Sequence, residues 1–351
     1  MVAGLTACTN NYRVDEPQSE IVFQVANHSA ATRVEDYKTE YKSVPFGTYS
    51  WFKGVDSADD KAFMENQSVS YDEPNNRWVP TGTTYYWPKS GSLDFISYSP
   101  YTADGTNAPK PVVTEDGISY PEWDVAANPD VDVMYADKVT GQTGNTQTYF
   151  YTGVPTLFRH ALAKVAFNIQ AAYLTKTAPT GDVTRWEVTI NSITLGNILS
   201  SGTLDLTLGS DGKWTKPEEN VWEPGTNRVD LGLEVEDAQL TTEPQVAGEP
   251  FLVLPQILDG TQTVTLNVTI NTYRDDNDGT GEHLVLTETG VDITASLGNS
   301  GIEAWGINQS ITYELNFAPS LSEDNTAPVE IHFDPAVDDW EVITITQPIN
   351  I

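Results

Sequence analysis

Four histidines, a single cysteine and fifty acidic side chains are the groups from which this 351-residue chain could assemble reactive chemistry. His28, His160, His283 and His332 stand far apart, with no His-x-x-x-His or His-Glu-x-x-His spacing, so zinc ligation has no local support. Nucleophilic catalysis needs a serine or cysteine held by a base; there is no Gly-x-Ser-x-Gly elbow, and Cys8 has no partnering histidine in its neighbourhood. His160 lies in the apolar stretch 157–165 and reads as a hydrogen-bonded strand histidine. A glycosidase dyad is defined by separation in space, so sequence spacing cannot reveal one. Asp56, Asp59, Asp60, Asp338 and Asp339 read as solvated surface charges. The expectation is a chain that is not an enzyme and uses no cofactor.

The densest oxygen-rich run is Asp275-Asp276-Asn277-Asp278-Gly279-Thr280-Gly281-Glu282, and Asp275, Asp276, Asp278 and Glu282 are its weak candidates for calcium. Aligned on Gly279, the EF-hand pattern puts Arg274 at the first ligand position and Val285 at the twelfth, so it fails. A long hairpin turn is the plainer reading, and no metal is expected. Trp78, Tyr85, Tyr86, Trp87, Tyr98 and Tyr101 concentrate aromatic surface in the first half. Most belong in a core, since such residues favour strands and bury large areas; a glycan-binding groove is the lesser reading.

Cys8 as the only cysteine excludes an intramolecular disulfide. Leu5-Thr6-Ala7-Cys8 resembles a bacterial lipobox, whose small residues admit a signal peptidase before a cysteine that becomes acylated. Seven preceding residues are too few for an export signal, so either the natural start lies upstream or the match is fortuitous. The expectation is a lipid anchor on Cys8 in the precursor, followed by a polar tether. Eighteen basic against fifty acidic residues give a net charge of -32, which repels phosphate backbones and excludes nucleic acid as a natural partner.

The elements that must position these groups are strands. Apolar residues alternate at Ile21, Phe23 and Val25, at Leu204, Leu206 and Leu208, and at Val264, Leu266, Val268 and Ile270. Turn clusters such as Asp72-Glu73-Pro74-Asn75-Asn76 separate them. Short helices are expected only at 61–65 and 295–298. The pattern predicts an all-β chain of antiparallel sandwiches, with residues 1–20 as lipobox and tether, 21–152 as one domain and 153–351 as a second. At the end, Ile343, Ile345, Ile349 and Ile351 share one face, giving either a strand donated to another molecule or the chain's own last strand.

Several phrases in order resemble the fimbrillin family of Bacteroidota, the type V pilins. Tyr86-Trp87-Pro88 with Leu93-Asp94-Phe95 and Tyr98-Ser99-Pro100-Tyr101 is similar to its first-domain segment. Phe158-Arg159-His160-Ala161-Leu162-Ala163-Lys164-Val165 is similar to its Phe-x-His-x-Leu-Ala-Lys strand, and Leu254-Pro255-Gln256 and residues 337–340 fit its second domain. The resemblance implies two tandem transthyretin-like antiparallel β-sandwich domains. It also implies a precursor carried as a lipoprotein to the outer membrane and cell surface, where a trypsin-like protease cuts after an arginine. Carried over, Cys8 is the lipidation site, Arg33 the cleavage residue and Ile21, Phe23 and Val25 the removable strand. A strand from a neighbouring pilin subunit would then fill the vacated groove, and Ile343, Ile345, Ile349 and Ile351 are the candidate donor. The competing expectation is a monomeric surface lipoprotein that binds a glycan or a host protein.

Overall fold

The computed structural model describes residues 20–27, 42–105, 109–144, 153–207, 222–318 and 330–338. In chain order the first strands are β1 (Phe23–Asn27), β2 (Phe46–Lys53), β3 (Lys61–Asp72), β4 (Arg77–Pro80), β5 (Ser92–Ser99), β6 (Val112–Thr114), β7 (Gly117–Asp124), β8 (Met134–Ala136) and β9 (Val139–Gln142). Next come β10 (Val154–His160), β11 (Ala163–Ala171), β12 (Thr175–Thr177), β13 (Val183–Leu199), β14 (Ser201–Thr207), β15 (Trp222–Pro224) and β16 (Arg228–Gln239). The rest are β17 (Gln245–Val246), β18 (Phe251–Val253), β19 (Gln256–Ile257), β20 (Thr263–Asp275), β21 (His283–Ser296), β22 (Ala304–Trp305), β23 (Ser310–Ala318) and β24 (Glu330–Asp338). The fold class is all-β, as the alternation predicts.

The first sheet closes on itself. Its order is β2-β3-β4-β1-β10-β8-β5, with β5 pairing back to β2 and β9 attached to β5. Closure leaves the strands of the circuit without a free edge. Inside lie Ile21, Phe23, Phe46, Met64, Trp78, Leu93, Phe95, Val154 and Phe158. β5 is buried along both faces, because Leu93 and Phe95 point into the ring while Ile96 and Tyr98 face a second core. That second core is capped by the sheet β15-β14-β7-β6.

The remaining strands form two facing sheets. One runs β17-β11-β23-β24 with β18 beside β11, the other β12-β13-β20-β21 with β16 beside β13. Their shared core includes Phe167, Trp186, Ile190, Leu266, Val268 and Tyr313. β11 and β13 alternate strictly enough that one face of each lies in this core.

Three features depart from the sequence expectations. β1 pairs with β10 in parallel, as does β11 with β23, although antiparallel pairing was expected throughout. Parallel partners require a crossover, and these are joined through long stretches of intervening chain. The apolar run after residue 153 does not serve one core: β10 is a stave of the first ring, and the chain changes sheet at the fully buried Ala161 and Leu162. β14 then returns to pair with β7, β15 pairs with the far side of β14, and Trp222 Nε1 donates to the Ala161 carbonyl at 2.7 Å. Finally, residues 61–65 are strand and not helix. Lys, Ala, Met and Glu favour helices locally, but pairing of β3 with β2 outweighs a propensity worth only tenths of a kcal/mol, ~0 to 0.7 per residue. Near 295–298, helical geometry is confined to a single 3-10 turn, Leu297–Asn299.

Candidate functional site

Ile21 and Phe23 follow one another on one face of an extended segment, and both are buried in the first ring, at 0% and 2% exposure. β1 lies between β4 and β10, so it completes the circuit and is not appended to an edge. Along β10 its backbone runs in register from Phe23 opposite Val154 to Asn27 opposite Phe158, and Val25 pairs with Thr156. With β4 its ladder has one register pair among the described residues, Phe23 opposite Trp78. The two flanks are therefore unequal: one is a full ladder, the other a single register pair.

The seat is aromatic. Phe23 meets Phe46 and Phe95 edge to face, each at 5.6 Å between ring centroids. Phe46 in turn packs on Trp78 at 5.4 Å and Phe158 at 5.3 Å. Such geometry adds about 0.5 to 1.5 kcal/mol per pair to the area effect. At the entrance the Ile21 N–H donates to the Tyr85 carbonyl at 2.9 Å, and the Val154 N–H donates to the Val22 carbonyl at 2.8 Å. Glu20 bridges to Tyr86 through the backbone, and its carboxylate takes Arg77 Nη1 at 3.0 Å.

Gly153, which the sequence offered only as a boundary, shapes this entrance. Its φ is +136°, and a Cβ there would lie 2.9 Å from the Val22 carbonyl oxygen and 3.1 Å from the Phe23 carbonyl carbon. Only glycine allows β1 to approach so closely. The signal in the sequence was a lone glycine directly before an apolar strand.

The other sequence-predicted positions distribute as follows. Cys8, Arg33, Ile343, Ile345, Ile349 and Ile351 lie outside the described residues. Asp275 is the last residue of β20, and Asp276, Asp278 and Glu282 occupy the exposed hairpin between β20 and β21. Their carboxylates already have partners: Arg274 for Asp276, the Asn277 N–H for Asp275, Thr280 for Asp278 and Arg185 for Glu282. Among the described residues no three His, Cys, Asp or Glu side chains converge as a metal site would require. His160 is buried on β10 with Nδ1 2.8 Å from Asp132 Oδ2. Of the aromatic cluster, Trp78, Trp87 and Tyr98 are buried, whereas Tyr86 is half exposed.

Residues 32–340 match the family described as fimbrillin-like. No curated protein matches the chain. Among solved structures, one assigned as a cell adhesion protein from Bacteroides uniformis superposes with a TM-score of 0.53 at 18% identity, over 92% of this chain and 99% of its own. Another so assigned, from Bacteroides ovatus, gives 0.52 at 13% identity over 93% and 99%. At such identities the likeness speaks to the fold.

Proposed function

Because this chain belongs to the fimbrillin-like family, we propose that it is a fimbrial subunit, structural or adhesive, exported as a lipoprotein through Cys8 and joined to its neighbours by strand exchange at the cell surface. The observation that carries this reading is the position of β1. It is an inner stave with a full ladder on β10 and a single register pair on β4, and Phe23 in it and Ile21 just before it lie in the ring core. Withdrawing it would uncover the unpaired flanks of β4 and β10 together with an aromatic trench, which are the two things an incoming strand satisfies.

The energetics favour exchange over simple loss. Burying Ile21 and Phe23 stabilises β1 by roughly 1.5 to 3 kcal/mol each. Ordering the seven backbone residues 21–27 costs about 1 to 2 kcal/mol each, which offsets that gain. β1 is therefore held largely by its covalent attachment and ladder hydrogen bonds, and a cut chain end is replaceable. Tandem transthyretin-like sandwiches, a cut after Arg33 and a donor face made by Ile343, Ile345, Ile349 and Ile351 complete the proposal.

Digesting the acylated precursor with an arginine-specific protease tests it. The expected outcome is one dominant cut after Arg33 followed by a ladder of oligomers on denaturant-free gels, abolished by Ile343→Asp combined with Ile345→Asp. A cut chain that stays monomeric, with β1 still bound, would overturn strand exchange and leave a monomeric surface lipoprotein as the reading.

A further inference from the structure

An open depression of about 460 Å³ lies on the outside of the first ring, walled by β2, β3, the residues around Asp104 and Lys110, and the β6–β7 turn. Its size falls in the range of small-ligand sites, and neither β1 nor β10 contributes to it. Tyr49 and Trp51, two residues apart on one face of β2, present nearly parallel rings to it, with planes 18° apart and centroids 6.4 Å apart. Both are partly exposed.

The polar wall is built and not incidental. β3 bulges opposite β2, since Thr48 pairs with Gln67 but Ser50 pairs with Met64. The bulge turns Glu65 and Asn66 toward the depression, and Asn66 takes a left-handed φ of +43°, uncommon for a residue with a Cβ. Asn66 is 7% exposed. Its Oδ1 accepts from the buried Tyr98 hydroxyl at 2.6 Å, while its Nδ2 donates to the Thr102 carbonyl at 3.0 Å and to Asp104 Oδ1 at 2.9 Å. Lys110 pairs with the same Asp104 carboxylate, and Lys53 pairs with Glu115 across the opposite wall. Glu65 is exposed and makes no hydrogen bond or ion pair among the described residues.

We propose that this depression binds a neutral pyranose unit of a glycan. The C–H face of the ring would lie on Tyr49 and Trp51. Its hydroxyls would donate to the carboxylates of Glu65 and Asp104 and accept from the Lys110 ammonium. Two of the three carboxylates are already neutralised by lysines, which favours a neutral polyol over a cation held by the same rings. The inference goes beyond subunit assembly and holds whether or not strands are exchanged.

Saturation-transfer NMR on the full monomeric chain tests it, using millimolar methyl β-D-glucopyranoside, methyl β-D-galactopyranoside and methyl α-D-mannopyranoside, with tetramethylammonium as the cationic probe. At least one glycoside should receive saturation, strongest at the axial protons of one ring face. Trp51→Ala should abolish the transfer, and Glu65→Gln should weaken binding about tenfold by removing a charge-assisted hydrogen bond. Glu65 is exposed, so that variant carries the test even if Trp51→Ala fails to fold, with thermal melting as the check. No transfer to any of the glycosides, transfer undiminished in the variants, or transfer to tetramethylammonium alone would overturn the proposal. None of these results bears on whether the cut precursor polymerises.

Discussion

Phe23 is wedged among rings from β2 and β5, with Trp78 of β4 paired opposite it, so truncating it removes packing that no neighbour can refill. Phe23→Ala should lower stability by about 3 to 5 kcal/mol in urea titrations, whereas Phe23→Leu should cost much less. A charged cluster on the other half of the molecule gives a pH-dependent counterpart. Arg185 lies over the Tyr273 ring at 4.2 Å, donates to both oxygens of Glu282 at 2.8 Å and to Glu187 at 2.7 Å. Hydrogen bonding to Arg185 holds the carboxyls of Glu282 and Glu187 below their ordinary range. A carboxyl with a depressed folded value contributes stability above its unfolded value of about 4.3 and loses it as pH falls through the folded value. Arg185→Gln should therefore lower the Tm at pH 7, and the difference from the parent chain should fade as pH falls below the unfolded carboxyl value of about 4.3. These exposed pairs are screened, so the shift at pH 7 should also shrink in high salt.

At the scale of elements, β1 depends on how closely the chain at Gly153 can pass it. Gly153→Val would place side-chain atoms where the Val22 carbonyl now stands and would force an unfavourable φ. The expected outcome is selective loosening: faster amide exchange at residues 21–27, with the exchange of β20 and β21 unchanged. If both sets accelerate together, β1 is not a separable element. The strand character of β1, β14 and β20 was legible, because each alternates apolar and polar residues over enough length to fix a face. β3 was not, since Lys61, Ala62, Met64 and Glu65 at its start carry helix-favouring side chains and become strand through pairing with β2. The same tertiary pairing creates the bulge at Asn66, which no local pattern announces.

For the whole molecule, the net charge of -32 opposes any association between copies. If subunits join by strand exchange, oligomer growth after cleavage should be slow in about 0.01 M salt and faster near 0.15 M, where the screening length falls from about 30 Å to about 8 Å. Growth that is indifferent to salt would mean that the docking faces are shielded from the bulk charge. The sequence by itself determined the all-β class, a strand close to its observed place at Phe23–Asn27 and the hairpin at the acidic run around Asp278, because alternation and turn residues act locally. Only the tertiary structure decided that this strand closes a ring, that β10 and β11 part at Ala161 and Leu162, that β14 returns to β7 with β15 on its far side, and that Tyr49, Trp51, Glu65 and Asp104 share one depression. Those facts arise from pairing between segments distant in sequence, and register between remote strands is set by how their faces pack together, a quantity that no single stretch of residues contains.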